Sequence, residues 1–257
     1  MTGLHAEKLT FSYGNRPVLR ELGFDALPKG KLTALIGPNA AGKSTLFRLI
    51  AGLIKPKSGH VALHGDDLAA LPSRERLKRI CFMPQYFAAN AALTVFDVVM
   101  MAHKNLRGWR VSEADMQAVG DALAQAGIGQ LSEAYVSELS GGQSQMVSVA
   151  QALIRHSDVY LFDEPTSALD LRHQLEVLTR IKATMTERDA IGVVALHDLN
   201  LAARYADQLI LLGQGRILAE GTAETVLRSP AISETYKVEV EISSGPKKDL
   251  TVHAYAS

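Results

Sequence analysis

Apolar and polar positions follow two periods along the chain, and the two periods alternate. Residues 4–27 alternate in two runs joined by a turn at residues 13–17, which predicts an antiparallel hairpin. Helical spacing of apolar residues follows position 43, and residues 171–188 predict an amphipathic helix. A polar helix is predicted at 73–79 and a further helix at 199–205. Alternation predicts a short strand at 60–64, and further strands are predicted at 32–36, 80–83, 159–162, 191–196, 208–212 and 216–219. The order of these elements predicts an α/β fold.

A purely helical block interrupts this alternation between residues 94 and 156. Ser112, followed by an acidic turn, is typical of a helix start, and that helix should run to Gly127. We therefore predict one domain with three parts. Residues 1–93 and 157–221 form an α/β core with an N-terminal β subdomain, 94–156 form a helical subdomain, and 222–257 form a short C-terminal extension.

Two segments have weaker patterns. Residues 86–93 are rich in alanine and have no strong period, so they could form a flexible joint. In the tail, a short helix should follow Thr222, and a β-prone run at 237–242 should lead into a loop. The tail could pack on the core, aid pairing of two chains or remain a disordered end.

Composition limits the classes of protein that the chain can belong to. Apolar residues make up 47% of the 257 residues and charged residues 21%, which is typical of a globular protein. No apolar stretch approaches the ~20 residues that span a bilayer, and the N-terminus lacks an apolar signal core, so we expect a cytoplasmic protein. The 27 basic residues balance the 27 acidic ones, which gives no field to attract nucleic acid. The single cysteine, Cys81, lies in an apolar run and should be a buried, inert thiol.

The most informative motif lies between the strand at 32–36 and the helix that follows. Its glycines allow the backbone N–H groups to approach phosphate oxygens, and the helix directs its positive dipole end at the same anion. Lys43 adds a charge for the β- and γ-phosphates, and the Ser44 hydroxyl can ligate Mg²⁺. A glycine-rich turn that merely contains Lys-Ser is the alternative, but the strand–helix context favours an ATP-binding phosphate loop. It comprises Gly37, Pro38, Asn39, Ala40, Ala41, Gly42, Lys43, Ser44 and Thr45.

Each of the later motifs is a weak indication of function by itself, but their order along the chain is informative. Gln85 follows one strand, Asp163 and Glu164 follow another, and His197 follows a third. Between them stand Leu139, Ser140, Gly141, Gly142 and Gln143, and later a loop that ends at Asp170. In this order, and together with the phosphate loop, they resemble the ATP-binding subunits of ABC transporters from about residue 4 to residue 221. The Leu-Ser-Gly-Gly-Gln signature is the specific part, because many nucleotide enzymes share a phosphate loop.

The resemblance implies a phosphate-loop NTPase core with an antiparallel β subdomain and an inserted helical subdomain. It also implies roles for single residues. Asp163 would hold Mg²⁺ with Ser44 and Gln85, and Glu164 would be the general base for the attacking water. His197 would contact the γ-phosphate and position Glu164. Tyr13 would stack on adenine, although it could also be an ordinary turn aromatic.

The signature implies pairing, because one chain already carries a complete phosphate loop. Ser140 and Gly142 precede a helix and could present N–H groups to a phosphate. In the family this segment serves the ATP of the opposite subunit, and Asp170 belongs to a loop exchanged across the dimer. We therefore expect a head-to-tail homodimer around two ATP molecules. It would sit as a peripheral protein on the cytoplasmic face of the inner membrane and bind an integral permease, with a substrate-binding protein as an indirect partner.

Within the family, the phosphate loop, Leu93-Thr-Val and the run after Ala168-Leu169 look most like the ATPases of iron–siderophore, haem and cobalamin importers. Two alternatives stay open, a soluble ABC ATPase and an exporter subunit. Ser144 and Met146 stand where the family has basic residues, and Ala40 replaces a common glycine. From Ser144 and Met146 we expect weaker pairing of the signature helix with its surroundings, and neither difference should remove the ATP contact.

Overall fold

The computed structural model describes residues 3–85, 92–104, 108, 110–244 and 250–256. Its strands are β1 Leu4–Tyr13, β2 Arg16–Leu27, β3 Leu32–Ile36, β4 Ser58–Leu63, β5 Asp66–Asp67, β6 Ile80–Met83, β7 Val159–Asp163, β8 Ile191–Ala195, β9 Gln208–Gly213, β10 Arg216–Gly221, β11 Val238–Ser244 and β12 Leu250–Ala256. Its α-helices are α1 Lys43–Ile50, α2 Ser73–Arg79, α3 Val95–Lys104, α4 Glu113–Gln125, α5 Gly141–Leu153, α6 Leu171–Glu187, α7 Leu199–Tyr205, α8 Ala223–Leu227 and α9 Pro230–Tyr236.

The central sheet has six strands in the order β10-β9-β3-β8-β7-β6. Its neighbours pair in parallel except for the β9–β10 hairpin. All residues of β3, β7 and β8 are buried, as expected for parallel strands that are covered on both faces. Because β6, β7 and β8 are adjacent and parallel, the side chains that follow them meet at one edge of the sheet.

A second, fully antiparallel sheet has the order β2-β1-β4-β5 and includes the predicted N-terminal hairpin. Leu9 and Leu22 of this sheet share a hydrophobic core with Phe47 of α1 and with one face of the central sheet. The opposite face of the central sheet packs against α5, α6 and α7. The phosphate-loop helix therefore lies in a core between the two sheets, which confirms the predicted fold class.

The helical block between β6 and β7 contains α3, α4 and α5. The predicted start at Ser112 is confirmed by a capping box, in which Ser112 Oγ accepts from the Asp115 N–H and the Asp115 carboxylate accepts from the Ser112 N–H. Residues 86–91 of the predicted flexible joint lie outside the described residues. Among the helices that the structure describes, none is long and apolar enough to cross a membrane.

The C-terminal extension contains more structure than the sequence predicts. One short helix was expected, whereas α8 is followed by α9, which begins with Pro230 after the N-cap Ser229. The β-prone run pairs with β12, a strand that the pattern did not predict. This hairpin lies on the core, because the Asn200 side chain exchanges two hydrogen bonds with the backbone of Val252, at 2.7 and 3.3 Å.

Two local predictions, the strand at 60–64 and the buried cysteine, can be compared with the structure. The strand expected at 60–64 begins earlier, at Ser58, and ends at Leu63, since His64 adopts a positive φ of 56° in the following turn. Cys81 is buried and free, as predicted. Burial raises the pKa of its thiol to about 11, which makes the thiolate rare near neutral pH.

Candidate functional site

The loop between β3 and α1 has the backbone that a phosphate-binding loop requires. Gly37 has a φ of 150°, and a Cβ atom built on it would lie 2.1 Å from the Leu212 carbonyl oxygen, so no side chain fits there. Ala40 adopts a φ of 62°, where alanine costs about 1–2 kcal/mol relative to ordinary helical backbone. The α1 helix begins at Lys43, as predicted. Its N-terminal N–H groups therefore face the loop.

Lys43 is buried and is held across this loop. Its Nζ donates to the Gly37 carbonyl at 2.7 Å and to the Pro38 carbonyl at 3.2 Å. Burial lowers the pKa of the Lys43 ammonium, while the charges of Glu164 and Asp163 oppose that shift. The cation and the two acids are thus close enough to influence one another electrostatically.

Asp163 is the last residue of β7 and is 3% exposed. Burial raises the pKa of its carboxyl group, and a hydrogen bond from Ser44 is the largest opposing influence. Within the described part of the chain, Asp163 Oδ1 has no hydrogen-bond partner. A buried carboxylate oxygen without a partner, beside a serine hydroxyl, suits Mg²⁺, which prefers oxygen ligands.

Glu164 lies between two side chains that follow the neighbouring strands. Gln85 Nε2 donates to Glu164 Oε2 at 2.6 Å, and His197 Nε2 contacts Glu164 Oε1. The Glu164 side chain is mostly buried, whereas the His197 side chain is 42% exposed. The sheet order β8-β7-β6 brings these three residues together, so the predicted catalytic group is assembled at one edge.

Glu164 also has a strained backbone, with a φ of 54°. For a residue other than glycine this conformation costs about 1–2 kcal/mol, and such residues cluster at functional sites. Its carbonyl oxygen accepts from Gln145 Nε2 at 3.0 Å and from Ser167 Oγ at 3.1 Å. These bonds hold the peptide in the conformation that directs the carboxylate toward Gln85 and His197.

Sequence reasoning missed Gln145. Its side chain is buried in α5, where the neighbouring Met146, Val147 and Val149 are apolar and buried. A polar residue within this buried helix face, two positions after Gln143, was the signal that could have revealed it. Buried polar groups need partners, and the partner here is the Glu164 carbonyl.

The signature segment lies at the start of α5. Ser140 is the N-cap, and its Oγ accepts from the Gln143 N–H at 3.3 Å, while Gln143 Oε1 accepts from the Ser140 N–H at 2.9 Å. The prediction that Gly142 precedes the helix is wrong, because the helix begins at Gly141 and Gly142 lies in its first turn. Across the described residues, no hydrogen bond or ion pair joins 139–143 to the phosphate loop at 37–45.

Two further predicted residues lie at exposed positions. Asp170 is the N-cap of α6 and accepts from the His173 N–H at 2.9 Å, a bond that lowers the pKa of the Asp170 carboxyl group. Tyr13 ends β1 with its ring edge-on to Phe11, and its hydroxyl lies 3.5 Å from Arg48. Within the part of the chain that the structure describes, no hydrogen bond or ion pair joins Tyr13 or Asp170 to Glu164.

Comparison with protein families decides what this arrangement is. A family model described as "ABC transporter" matches residues 19–167, more than half of the chain. The chain belongs to the ABC transporter family. The matched segment includes the phosphate loop, Gln85, the signature segment and Glu164, whereas Asp170 and His197, which also contributed to the resemblance, lie beyond its end.

Individual relatives are similar to this protein over almost its whole length. The chain is 40% identical to the hemin import ATP-binding protein HmuV of Thermobifida fusca, over 95% of this chain and 85% of that protein. It is 33% identical to the iron(3+)-hydroxamate import ATP-binding protein FhuC of Bacillus subtilis, over 98% and 94% of the two chains. It also superposes with a TM-score of 0.77 on an ATP-binding cassette solved as a dimer with ADP and Pi, which is 26% identical over 86% of this chain and 98% of that one.

The family and the fold that the sequence predicted are therefore confirmed. This ABC protein binds ATP and hydrolyses it, as the family and the superposed cassette show. The structure brings together Lys43, Ser44 and Asp163, and beside them Gln85, Glu164 and His197. The individual roles of these residues stay predictions.

Proposed function

We propose that this protein is the ATP-hydrolysing subunit of an ABC importer that takes up an iron complex of the siderophore type through a membrane permease. The near full-length similarity to an iron(3+)-hydroxamate import ATPase is the observation that carries the proposal. The hemin import relative favours haem as a second candidate cargo. The names of both relatives refer to the import of iron held in an organic complex.

In the proposed reaction Glu164 is the general base, and it takes a proton from the water that attacks the γ-phosphate. Gln85 and His197 bind the two carboxylate oxygens of Glu164 and orient the side chain. Because the carboxylate is already oriented, less conformational entropy is lost when the transition state forms. Lys43 binds the β- and γ-phosphate oxygens in place of the loop carbonyls that hold it here. When Mg²⁺ is bound it neutralises charge on the phosphates, and Ser44, Asp163 and Gln85 are the residues that would hold it.

The proposed active form is a head-to-tail homodimer around two ATP molecules. The position of the signature segment supports this proposal. Among the described residues, 139–143 form no hydrogen bond or ion pair with the phosphate loop of the same chain, yet the start of α5 offers N–H groups to an anion. The superposed cassette is a dimer with ADP and Pi. Leu171, next to Asp170, is 71% exposed, and an apolar contact across the dimer would cover it.

The proposed partners follow from the same assignment. The dimer would bind an integral permease at the cytoplasmic face of the membrane, and the helical block with the segment after Gln85 would transmit the change between ATP-bound and ADP-bound states. A substrate-binding protein would act on the opposite side of the membrane. Nucleic acid is not a proposed partner.

The test is co-purification of the chain from its native membrane, followed by reconstitution of what is recovered in liposomes. We expect a polytopic permease, and ATPase activity that rises when a binding protein loaded with a ferric hydroxamate is added. If the ATPase activity rises with a hemin-loaded binding protein instead, haem becomes the assigned cargo. Recovery with soluble assembly or ribosomal proteins, and no permease, would contradict the transport proposal.

A further inference from the structure

Three side chains with metal-binding atoms lie together on the antiparallel sheet, outside the ATP site. His5 and Glu7 are two positions apart on β1, so they lie on the same face of the sheet. His60 on β4 is directly opposite Glu7 in the strand register. Cross-strand neighbours share a face, so all three project from one side of the β1–β4 pair.

The distances between these groups are close to those of a metal site. One nitrogen or oxygen atom from each residue lies within 4.8 Å of the other two, and His5 Nε2 is 3.9 Å from Glu7 Oε1. Three ligands of a tetrahedral zinc ion lie about 3.4 Å apart, so small side-chain rotations suffice to bind one. The His5 and His60 rings are edge-on, with centroids 6.4 Å apart.

The backbone brings strands β1 and β4 close together beside these three side chains. The β1–β4 register shifts between Glu7 and Thr10, and Lys8 has a positive φ of 47° at this irregularity. Gly59, next to His60, has a φ of 82°, and a Cβ atom there would lie 2.3 Å from the Lys8 carbonyl oxygen. Glycine at position 59 thus lets β4 approach β1 beside the three ligands.

Burial and access also suit a bound ion. The His5 side chain is 9% exposed, and its Nδ1 has no hydrogen-bond partner among the described residues, so the ring is already desolvated. The Glu7 side chain is 54% exposed, which leaves a path from solvent. Two imidazoles and one carboxylate are a ligand set for first-row transition metals, whereas Mg²⁺ and Ca²⁺ favour oxygen.

We propose that His5, Glu7 and His60 form a site for a divalent first-row transition metal ion that joins strands β1 and β4. The fourth position is filled by water, as in sites with three protein ligands. The site is separate from the phosphate loop and does not depend on which cargo the protein transports. Binding at this site should stabilise the folded chain by an amount that grows with the logarithm of the free metal concentration once that concentration exceeds the Kd.

The test is titration of the untagged, nucleotide-free full chain with Zn²⁺ by calorimetry, and with Co²⁺ by visible absorption. We expect one ion per chain, and Co²⁺ bands of a low-symmetry site with nitrogen and oxygen ligands. Glu7→Gln and His60→Ala should each weaken binding by about tenfold or more. Both side chains are partly or largely exposed, so these variants should fold, which thermal melting without metal checks.

Two control variants separate this site from others. His253→Ala removes an exposed histidine of β12 and should leave Zn²⁺ affinity unchanged. Asp163→Asn removes the carboxylate of the ATP site and should also leave it unchanged. Absence of Zn²⁺ binding by the wild-type chain, equal binding by Glu7→Gln and His60→Ala, or loss of binding in Asp163→Asn would each overturn the proposal.

Discussion

Gln85 Nε2 donates a 2.6 Å hydrogen bond to Glu164 Oε2, although 79 positions separate the two residues in the chain. The bond joins the end of β6 to the end of β7, and His197 contacts the other carboxylate oxygen from the end of β8. A carboxylate held on both oxygens has a defined orientation. A change in the position of Gln85 would therefore reach the proposed general base directly.

Replacement of the proposed base tests this arrangement. Glu164→Gln should lower kcat by about 10²–10⁴-fold, the usual contribution of a general base, and should leave ATP affinity nearly unchanged. Trapped ATP should favour the dimer in size-exclusion chromatography. Glu113→Gln, at an exposed position in α4, is the matched control and should hydrolyse ATP like the wild type. Turnover near the wild-type value in Glu164→Gln would remove Glu164 from this role.

Removal of the phosphate-loop lysine should act on binding itself. Lys43→Ala deletes a charged hydrogen-bond donor worth about 1.5–3 kcal/mol, so ATP affinity should fall roughly 10- to 100-fold. Calorimetric titration with a non-hydrolysable ATP analogue measures this change. Lys55→Ala removes an exposed lysine beyond α1 and should bind like the wild type. An unchanged affinity in Lys43→Ala would contradict the predicted phosphate contact.

The pKa of Asp163 predicts a stability effect with a definite sign. Burial raises the pKa of this carboxyl group in the folded state, so the folded chain holds its proton more tightly than the unfolded chain does. The unfavourable contribution of this group to folding stability is absent below the unfolded pKa, grows as pH rises between the unfolded and the folded pKa, and is complete above the folded pKa.

Asp163→Asn should therefore raise the Tm at neutral pH in the absence of nucleotide, and this gain should shrink in acid. The same variant should lose ATPase activity in MgATP, because the proposed Mg²⁺ ligand is gone. Thermal melts from pH 4 to pH 8 measure the first effect. A Tm below that of the wild type at pH 7 would show that the buried carboxylate stabilises the chain.

Cys81 should be inert while the protein is folded. With a pKa of about 11, about one thiol in a thousand is ionised at pH 8, and the side chain is buried as well. Ellman's reagent should therefore react slowly with the native protein and at once after unfolding in guanidinium chloride. Rapid labelling of the native chain would mean that β6 opens to solvent.

Local signals predicted much of what the structure contains. The bounds of α2 and α7, the helix start after Ser112 and the loop before Lys43 depend on neighbouring residues, because residue periodicity and capping act within a few positions. The family resemblance added the identities of the site residues. It depended on motif order, which the sequence displays directly.

Contacts between distant residues could not be predicted in this way. The burial of Gln145, its bond to the Glu164 carbonyl and the positive φ of Glu164 depend on how α5 packs beside β7. Strand β12 and its bonds to Asn200 were missed because a strand is stabilised by its partner, which the residues of the strand alone do not identify.

By itself, the sequence determined the alternation of strands and helices in the α/β core, the phosphate loop and membership of the ABC transporter family, since each is encoded by local period or by motif order. Only the tertiary structure decided that Glu164 lies between Gln85 and His197, and that His5, Glu7 and His60 share one face. Sheet order and strand register set those distances, and both arise from packing of the whole chain.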